Sequence, residues 1–250
     1  MNSFEPRETI AVTLSTPMHP SDPSTRTQQP IVTGSTVIGI KYNGGVMLAS
    51  DTLASYGSLA RYKDIRRIMK IGDSVLVGAS GEYSDFQSLT RKLEELHQED
   101  VNIDDGYVRS PSEVHNYLRA VMYQRRNKFN PLWNQILVAG FKDAPYLGYV
   151  DLIGTAYEEN FIATGFGAYI AIPLIREKWY PEMDEGEARA LVEDCLRVLW
   201  YRDCKASNKI IIAKATAEGT LVSEPYELEH DWETANFDLR HGVAADGSSW

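Results

Sequence analysis

Three polar residues stand at equal intervals early in the chain. Ser35 is followed by Asp51 after 16 positions (51 − 35 = 16) and by Arg67 after another 16 (67 − 51 = 16). Ser35 offers a hydroxyl oxygen, a weak nucleophile until a neighbouring base takes its proton. Asp51 and Arg67 carry opposite charges, and we expect them to form a structural ion pair in a filled pocket. A bidentate pair would satisfy both groups, whereas either one buried alone would be costly. Arginine holds its charge to above about pH 12, and it is larger and more forked than lysine. Other chemistries find no footing. The five histidines (His19, His97, His115, His230, His241) form no metal-spaced motif. There is no Walker-type phosphate loop, and Gly165-Phe166-Gly167 lacks the third glycine of a dinucleotide fingerprint. We therefore expect neither cofactor nor metal.

The elements that must position these residues can be read from periodicity. Val37 to Tyr42 and Val46 to Ser50 are apolar or β-branched runs joined through Asn43-Gly44, a tight-hairpin signal. Ile68 to Ile71 and Ser74 to Ala79 also read as strands. The period then changes: Phe86, Leu89, Leu93 and Leu96 recur at helical spacing, as do Val114, Tyr117, Leu118, Val121 and Met122. The second helix opens on Ser110-Pro111-Ser112-Glu113, a capping box with proline at the first helical position. Strands return at Gln135 to Phe141, Tyr146 to Leu152 and Phe161 to Thr164. A third helix is predicted over Ala168 to Trp179. A fourth is capped by Asp184 and Glu187, with Ala188, Leu191, Val192, Cys195, Leu196 and Leu199 on one face. Lys209 to Thr216 and Thr220 to Glu224 close the body as a strand pair around Glu218-Gly219. Strands, two helices, strands, two helices, strands: this order predicts an α+β fold with helices covering antiparallel sheets.

At 250 residues the chain suits one large domain or two small ones, and it can bury about three quarters of its unfolded surface. Its hydrophobic (43%) and charged (24%) fractions are those of a soluble globular protein. A net charge of −10 argues against nucleic-acid and anionic-membrane partners. The basic runs Arg61 to Lys70 and Arg125-Arg126-Asn127-Lys128 then read as solvated faces or subunit contacts. Cys195 and Cys204 both fall in the fourth predicted helix, about 13 Å apart along its axis, too far for a disulfide. An intracellular protein is expected. No run reaches transmembrane length, and no early apolar core resembles a signal peptide. Residues 1–26, with Pro6, Pro17, Pro20 and Pro23 among serines and threonines, read as a disordered arm. Residues 27–237 read as one domain and 238–250 as a polar tail. The chain from Glu224 is acidic (Glu224, Glu227, Glu229, Asp231, Glu233, Asp238) and reads as a polar tail, by default a disordered end.

Taken together, Thr33-Gly34-Ser35-Thr36, Lys41-Tyr42-Asn43-Gly44-Gly45, Ser50-Asp51 and Arg66-Arg67-Ile68-Met69-Lys70-Ile71 resemble the first hairpin of a proteasome beta-type subunit. The resemblance implies the four-layer αββα sandwich of N-terminal-nucleophile hydrolases. It also implies a chemistry in which a threonine oxygen attacks, its own freed α-amine acts as base and a lysine lowers the proton affinity of the site. That amine has an ordinary pKa of about 7.7 to 8, suited to a general base at working pH. In this chain the threonine position holds Ser35 and the lysine position Arg67. Two serines that support the amine in active members correspond to Phe166 and Ala206, which cannot hydrogen-bond it. Only Asp51 and Asp203 are left of the supporting set. The resemblance therefore implies a degenerate, non-catalytic site.

Further strings sharpen the likeness: Ser55-Tyr56-Gly57-Ser58-Leu59, Met122-Tyr123-Gln124-Arg125-Arg126, Asn130-Pro131-Leu132-Trp133-Asn134, Thr164-Gly165-Phe166-Gly167-Ala168 and Tyr201-Arg202-Asp203. In order, these resemble the beta-7 class, named beta type-4 in some schemes, over about Thr27 to Phe237. Thr27-Gln28-Gln29-Pro30-Ile31-Val32-Thr33-Gly34 matches the mature start of that class, which implies a propeptide trimmed between Arg26 and Thr27. The implied role is structural: two copies of the chain in a twenty-eight-subunit 20S core, among other alpha and beta subunits, built with assembly chaperones, in cytoplasm and nucleus. The C-terminal extension would reach the opposite ring and help join half-particles. Trp133, Trp179, Tyr180 and Trp200 are candidates for subunit contacts, with core packing an equal alternative. Two competing readings are an active hydrolase using Ser35 after self-cleavage at Gly34-Ser35, and a stand-alone binding protein on this fold.

Overall fold

The apolar runs of this chain do not alternate with polar residues as they would on a half-solvated sheet, because the central strands are covered on both faces. In the strand Val37–Tyr42, Val37 points into one buried cluster while Ile38, Ile40 and Tyr42 point into another. In Val75–Glu82 the same division holds: Val75, Val77 and Ala79 face one side, Leu76 the other.

The structure, a computed structural model, describes residues 29–232. Its strands are β1 (Val32–Gly34), β2 (Val37–Tyr42), β3 (Gly45–Asp51), β4 (Ala54–Tyr56), β5 (Leu59–Tyr62), β6 (Ile68–Ile71) and β7 (Val75–Glu82), then β8 (Asn134–Phe141), β9 (Pro145–Val150), β10 (Ala156–Glu158), β11 (Phe161–Ala163), β12 (Lys209–Thr216), β13 (Gly219–Val222) and β14 (Tyr226–Glu227). Helices α1 (Tyr83–Ile103) and α2 (Pro111–Asn127) follow β7, and α3 (Gly167–Lys178) and α4 (Glu185–Arg202) follow β11. All pairings are antiparallel. One sheet runs β10-β9-β8-β7-β1-β4-β5 with β6 also on β7, and the other runs β11-β2-β3-β12-β13 with β14 also on β12.

Three buried clusters define four layers. Phe86, Leu89 and Leu93 of α1 and Val114, Leu118 and Met122 of α2 pack on Val77, Ile136 and Val138. Val37, Leu48, Leu76, Leu137 and Leu147 lie between the sheets. Ala188, Leu191, Val192, Cys195, Leu196 and Leu199 of α4 pack with Ile175 on Ile38, Ile40, Ile210 and Ile212. The αββα sandwich is the expected one. The predicted capping box of Ser110 with Glu113 forms, and the predicted cap at Asp184 is a second such box with Glu187. The β2–β3 turn depends on Gly44, whose φ of 94° a side chain would resist.

Several expectations need correction. Cys204 lies beyond the end of α4 and is exposed, while Cys195 is buried within the helix; both thiols are free. The acidic segment after Glu224 is not wholly a tail, since Tyr226–Glu227 pairs with β12 and Leu228 is buried in the α3–α4 core. Strand β7 runs three residues past Ala79. The short strands β1, β4, β5, β10 and β14 carried too few apolar positions to stand out. Trp133, Trp179 and Trp200 are half-buried, and only Tyr180 of that group is exposed. Trp179 donates its indole N–H to the Lys41 carbonyl at 2.8 Å, which favours packing over display. The arm, the Arg26–Thr27 junction and the 238–250 tail lie outside the described residues.

Candidate functional site

The chain changes sheets twice within a few residues of the polar triplet. Strand β1 belongs to the β7 sheet and β2 to the β3 sheet, and Ser35-Thr36 is the crossover between them. Asp51 ends β3, and the chain then crosses back to β4. Crossovers leave backbone carbonyls without ladder partners, and buried carbonyls must find donors elsewhere.

Arg67 supplies them. Its side chain is 1% exposed, and it donates through Nη1 to the Ser35 carbonyl at 3.2 Å and through Nη2 to the Thr36 carbonyl at 3.1 Å. Nη2 also pairs with Oδ1 of Asp51, which is buried. The expected ion pair therefore forms, but it is not bidentate. Asp51 turns Oδ2 away to accept from the Ser207 N–H at 2.9 Å, while Arg67 Nη1 also reaches the Ala79 carbonyl at 3.5 Å and its buried Nε has no hydrogen-bond partner among the described residues. Gly34 is required here: a Cβ on it would lie 2.3 Å from Arg67 Cδ, so the arginine stem occupies the space of a side chain. Burial lowers the Arg67 pKa to about 10, opposed by Asp203 and by Tyr83, so at neutral pH the group is a fixed cation and no proton relay.

Ser35 donates its hydroxyl proton to Oδ2 of Asp203, the residue that follows and caps α4. Asp203 is itself buried and accepts from the Lys205 N–H at 2.9 Å. The loop after α4 thereby contacts both crossovers, Asp203 at Ser35 and Ser207 at Asp51. Ala206 lies between them and donates its N–H to the Asp203 carbonyl at 3.1 Å.

The glycine loop before α3 also abuts this region. Gly167 donates to Thr36 Oγ1 at 2.9 Å, and Gly165 donates to Gln135 Oε1 at 2.9 Å. Phe166 between them is 57% exposed, so it does not fill the pocket; Arg67 does. Of the six residues singled out from sequence, Ser35, Asp51, Arg67 and Asp203 form one connected cluster. Ala206 borders it and Phe166 faces solvent.

Sequence reasoning missed Glu82. This buried carboxylate at the end of β7 accepts from the backbone N–H groups of Ile31 and of Val32, the latter at 3.1 Å. The stretch ahead of Ser35 is thus fastened at one end by Glu82. It is then paired on both sides, with Thr33 opposite Glu82 and Ser55 and Gly34 opposite Gly81. An acid at the last position of an apolar strand was the available signal.

Residues 31–215 match the family described as Proteasome subunit. The chain belongs to this family. It is similar to a protein of Arabidopsis thaliana named Proteasome subunit beta type-4, with 48% identity over 228 residues, 91% of this chain and 92% of the relative. A Xenopus laevis protein of the same name is 45% identical over 86% of this chain and 90% of its own. Proteasome subunit beta type-7 of Saccharomyces cerevisiae is 42% identical over 77% of each. Family membership implies assembly with other proteasome subunits. Among the described residues no group of side chains could hold a metal ion, and no helix is long and apolar enough to cross a membrane.

Proposed function

We propose that this chain is a non-catalytic structural beta subunit of the 20S proteasome core, completing the ring wall and chamber around active subunits in protein degradation. One observation carries the reading: the residues ahead of Ser35 form β1, a strand paired on both sides and fastened by Glu82. While β1 stays attached, Ser35 nitrogen is a peptide amide with no basic lone pair, so the base of the family's chemistry is missing. Arg67 adds to this, because a fixed cation over Gly34 cannot take the lysine's part.

In the same proposal, two copies of the chain enter a twenty-eight-subunit particle with the help of assembly chaperones, in cytoplasm and nucleus. Residues 1–26 are removed at Arg26–Thr27, and the segment after Phe237 helps join half-particles. The contact of Ser35 Oγ with Asp203 favours the alternative, an active hydrolase formed by cleavage at Gly34-Ser35. The intact mass of the chain from native particles separates the two. A mass beginning at Thr27 is expected, and one beginning at Ser35 would overturn the proposal. Ser35→Ala is expected to leave every peptidase activity of the particle unchanged.

A further inference from the structure

The loop after α2 displays a residue that its own fold does not explain. Phe129 has φ 51°, in the left-handed region where glycine is the usual occupant, and its side chain is 89% exposed. The helix ends in a Schellman arrangement: the Phe129 N–H donates to the Arg126 carbonyl at 3.0 Å and the Asn130 N–H to the Arg125 carbonyl at 3.1 Å. Glycine would serve this turn without strain. A bulky aromatic there costs conformational energy, and its exposure returns none of it within the described residues.

The surroundings are basic. Arg125, Arg126 and Lys128 have no carboxylate partner among the described residues, a feature shared with Arg61, Arg119 and Lys142 elsewhere on the chain. Arg125 Nε is buried without a hydrogen-bond partner. The negative end of the helix dipole accounts for some of this charge, but not for the phenylalanine. Nearby, the Arg126 guanidinium lies 5.5 Å over the ring of Tyr123, itself exposed.

We propose that Phe129, next in the chain to Arg125, Arg126 and Lys128, is an anchor that inserts into an apolar pocket rimmed by carboxylates on a neighbouring proteasome subunit. Aromatic and arginine residues dominate interface energetics, and the unpaired cations here select an acidic rim. The inference rests on the chain's role as an assembled subunit.

The test uses the full-length chain as the sole copy in cells, with Phe129→Gly as the principal variant. Glycine relieves the left-handed strain, so a purely local role predicts a chain at least as stable and fully assembled. An anchor predicts opposite signs: an unchanged or higher Tm for the unassembled chain, but about tenfold more of it outside the particle. Arg126→Glu with Lys128→Glu is expected to act in the same direction. A photoreactive phenylalanine analogue at position 129 in purified particles should crosslink to one neighbouring subunit, at apolar residues flanked by Asp or Glu. Normal assembly of Phe129→Gly, or a crosslink on a basic surface, overturns the proposal. Absence of the wild-type chain from particles would instead overturn the structural-subunit reading, and this inference with it.

Discussion

Replacing Arg67 by methionine keeps the apolar stem and removes only the guanidinium. Asp51 then stays buried with Ser207 N–H as its one remaining donor, and the Ser35 and Thr36 carbonyls lose theirs. Stranding one member of a buried ion pair costs about 3–5 kcal/mol. Each abandoned carbonyl adds about 1 kcal/mol, reduced for Ser35, whose crossover is only half-buried. The expected loss is about 4–6 kcal/mol, against a total stability of about 5–15 kcal/mol for a domain. Adding Asp51→Leu removes the stranded charge, and apolar pairs of similar volume are often neutral replacements for buried ion pairs. The double variant should then lose only about 2–4 kcal/mol, from the orphaned Ser207 N–H and the two crossover carbonyls. Urea denaturation of the full-length chain, followed by tryptophan fluorescence at neutral pH, measures all four corners of the cycle. If Arg67→Met costs less than about 1 kcal/mol, or if the double variant costs the sum of the singles, the crossovers do not depend on this pair.

Other outcomes are equally open to measurement. Glu82→Gln weakens the hold on Ile31 and Val32 by about 1–2 kcal/mol, and limited proteolysis should then cut near residue 31 while the core survives. Hydrogen bonds from Tyr107 and then Ser110 lower the Glu113 pKa from 4.5 to about 2. Because this carboxyl is lowered in the fold, its contribution is present above about pH 4.5 and fades as pH falls toward 2. For so exposed a cap it amounts to about 0.5 kcal/mol, and Glu113→Gln should flatten that part of the acid denaturation curve. Iodoacetamide at pH 8 should label Cys204 and spare Cys195, whose thiol is buried and pushed up to about 12. Labelling of both in the folded chain would contradict the α4 packing.

The long elements were legible because periodicity and caps are local. The apolar face of α4 from Ala188 to Leu199, the capping box at Ser110 and the turn at Asn43-Gly44 each need only a short window of sequence. Short strands were not legible: β1 spans Val32–Gly34 and is a strand only because β7 and β4 lie on either side of it. Cys204 followed a helical pattern by extrapolation, yet α4 ends at Arg202, where Asp203 turns to meet Ser35.

By itself the sequence determined the composition of the site. The 16-residue intervals singled out Ser35, Asp51 and Arg67, and the side-chain types already excluded a lysine relay and a hydrogen-bonding partner at Phe166 or Ala206. What only the tertiary structure decided was where the donors go. Arg67 has more donors than one carboxylate can accept, and which acceptors receive them depends on two chain crossovers brought together by sheets distant in sequence. Hydrogen-bond geometry is satisfied in three dimensions. For that reason the bidentate pair gave way to a guanidinium shared between Asp51 and the carbonyls of Ser35 and Thr36.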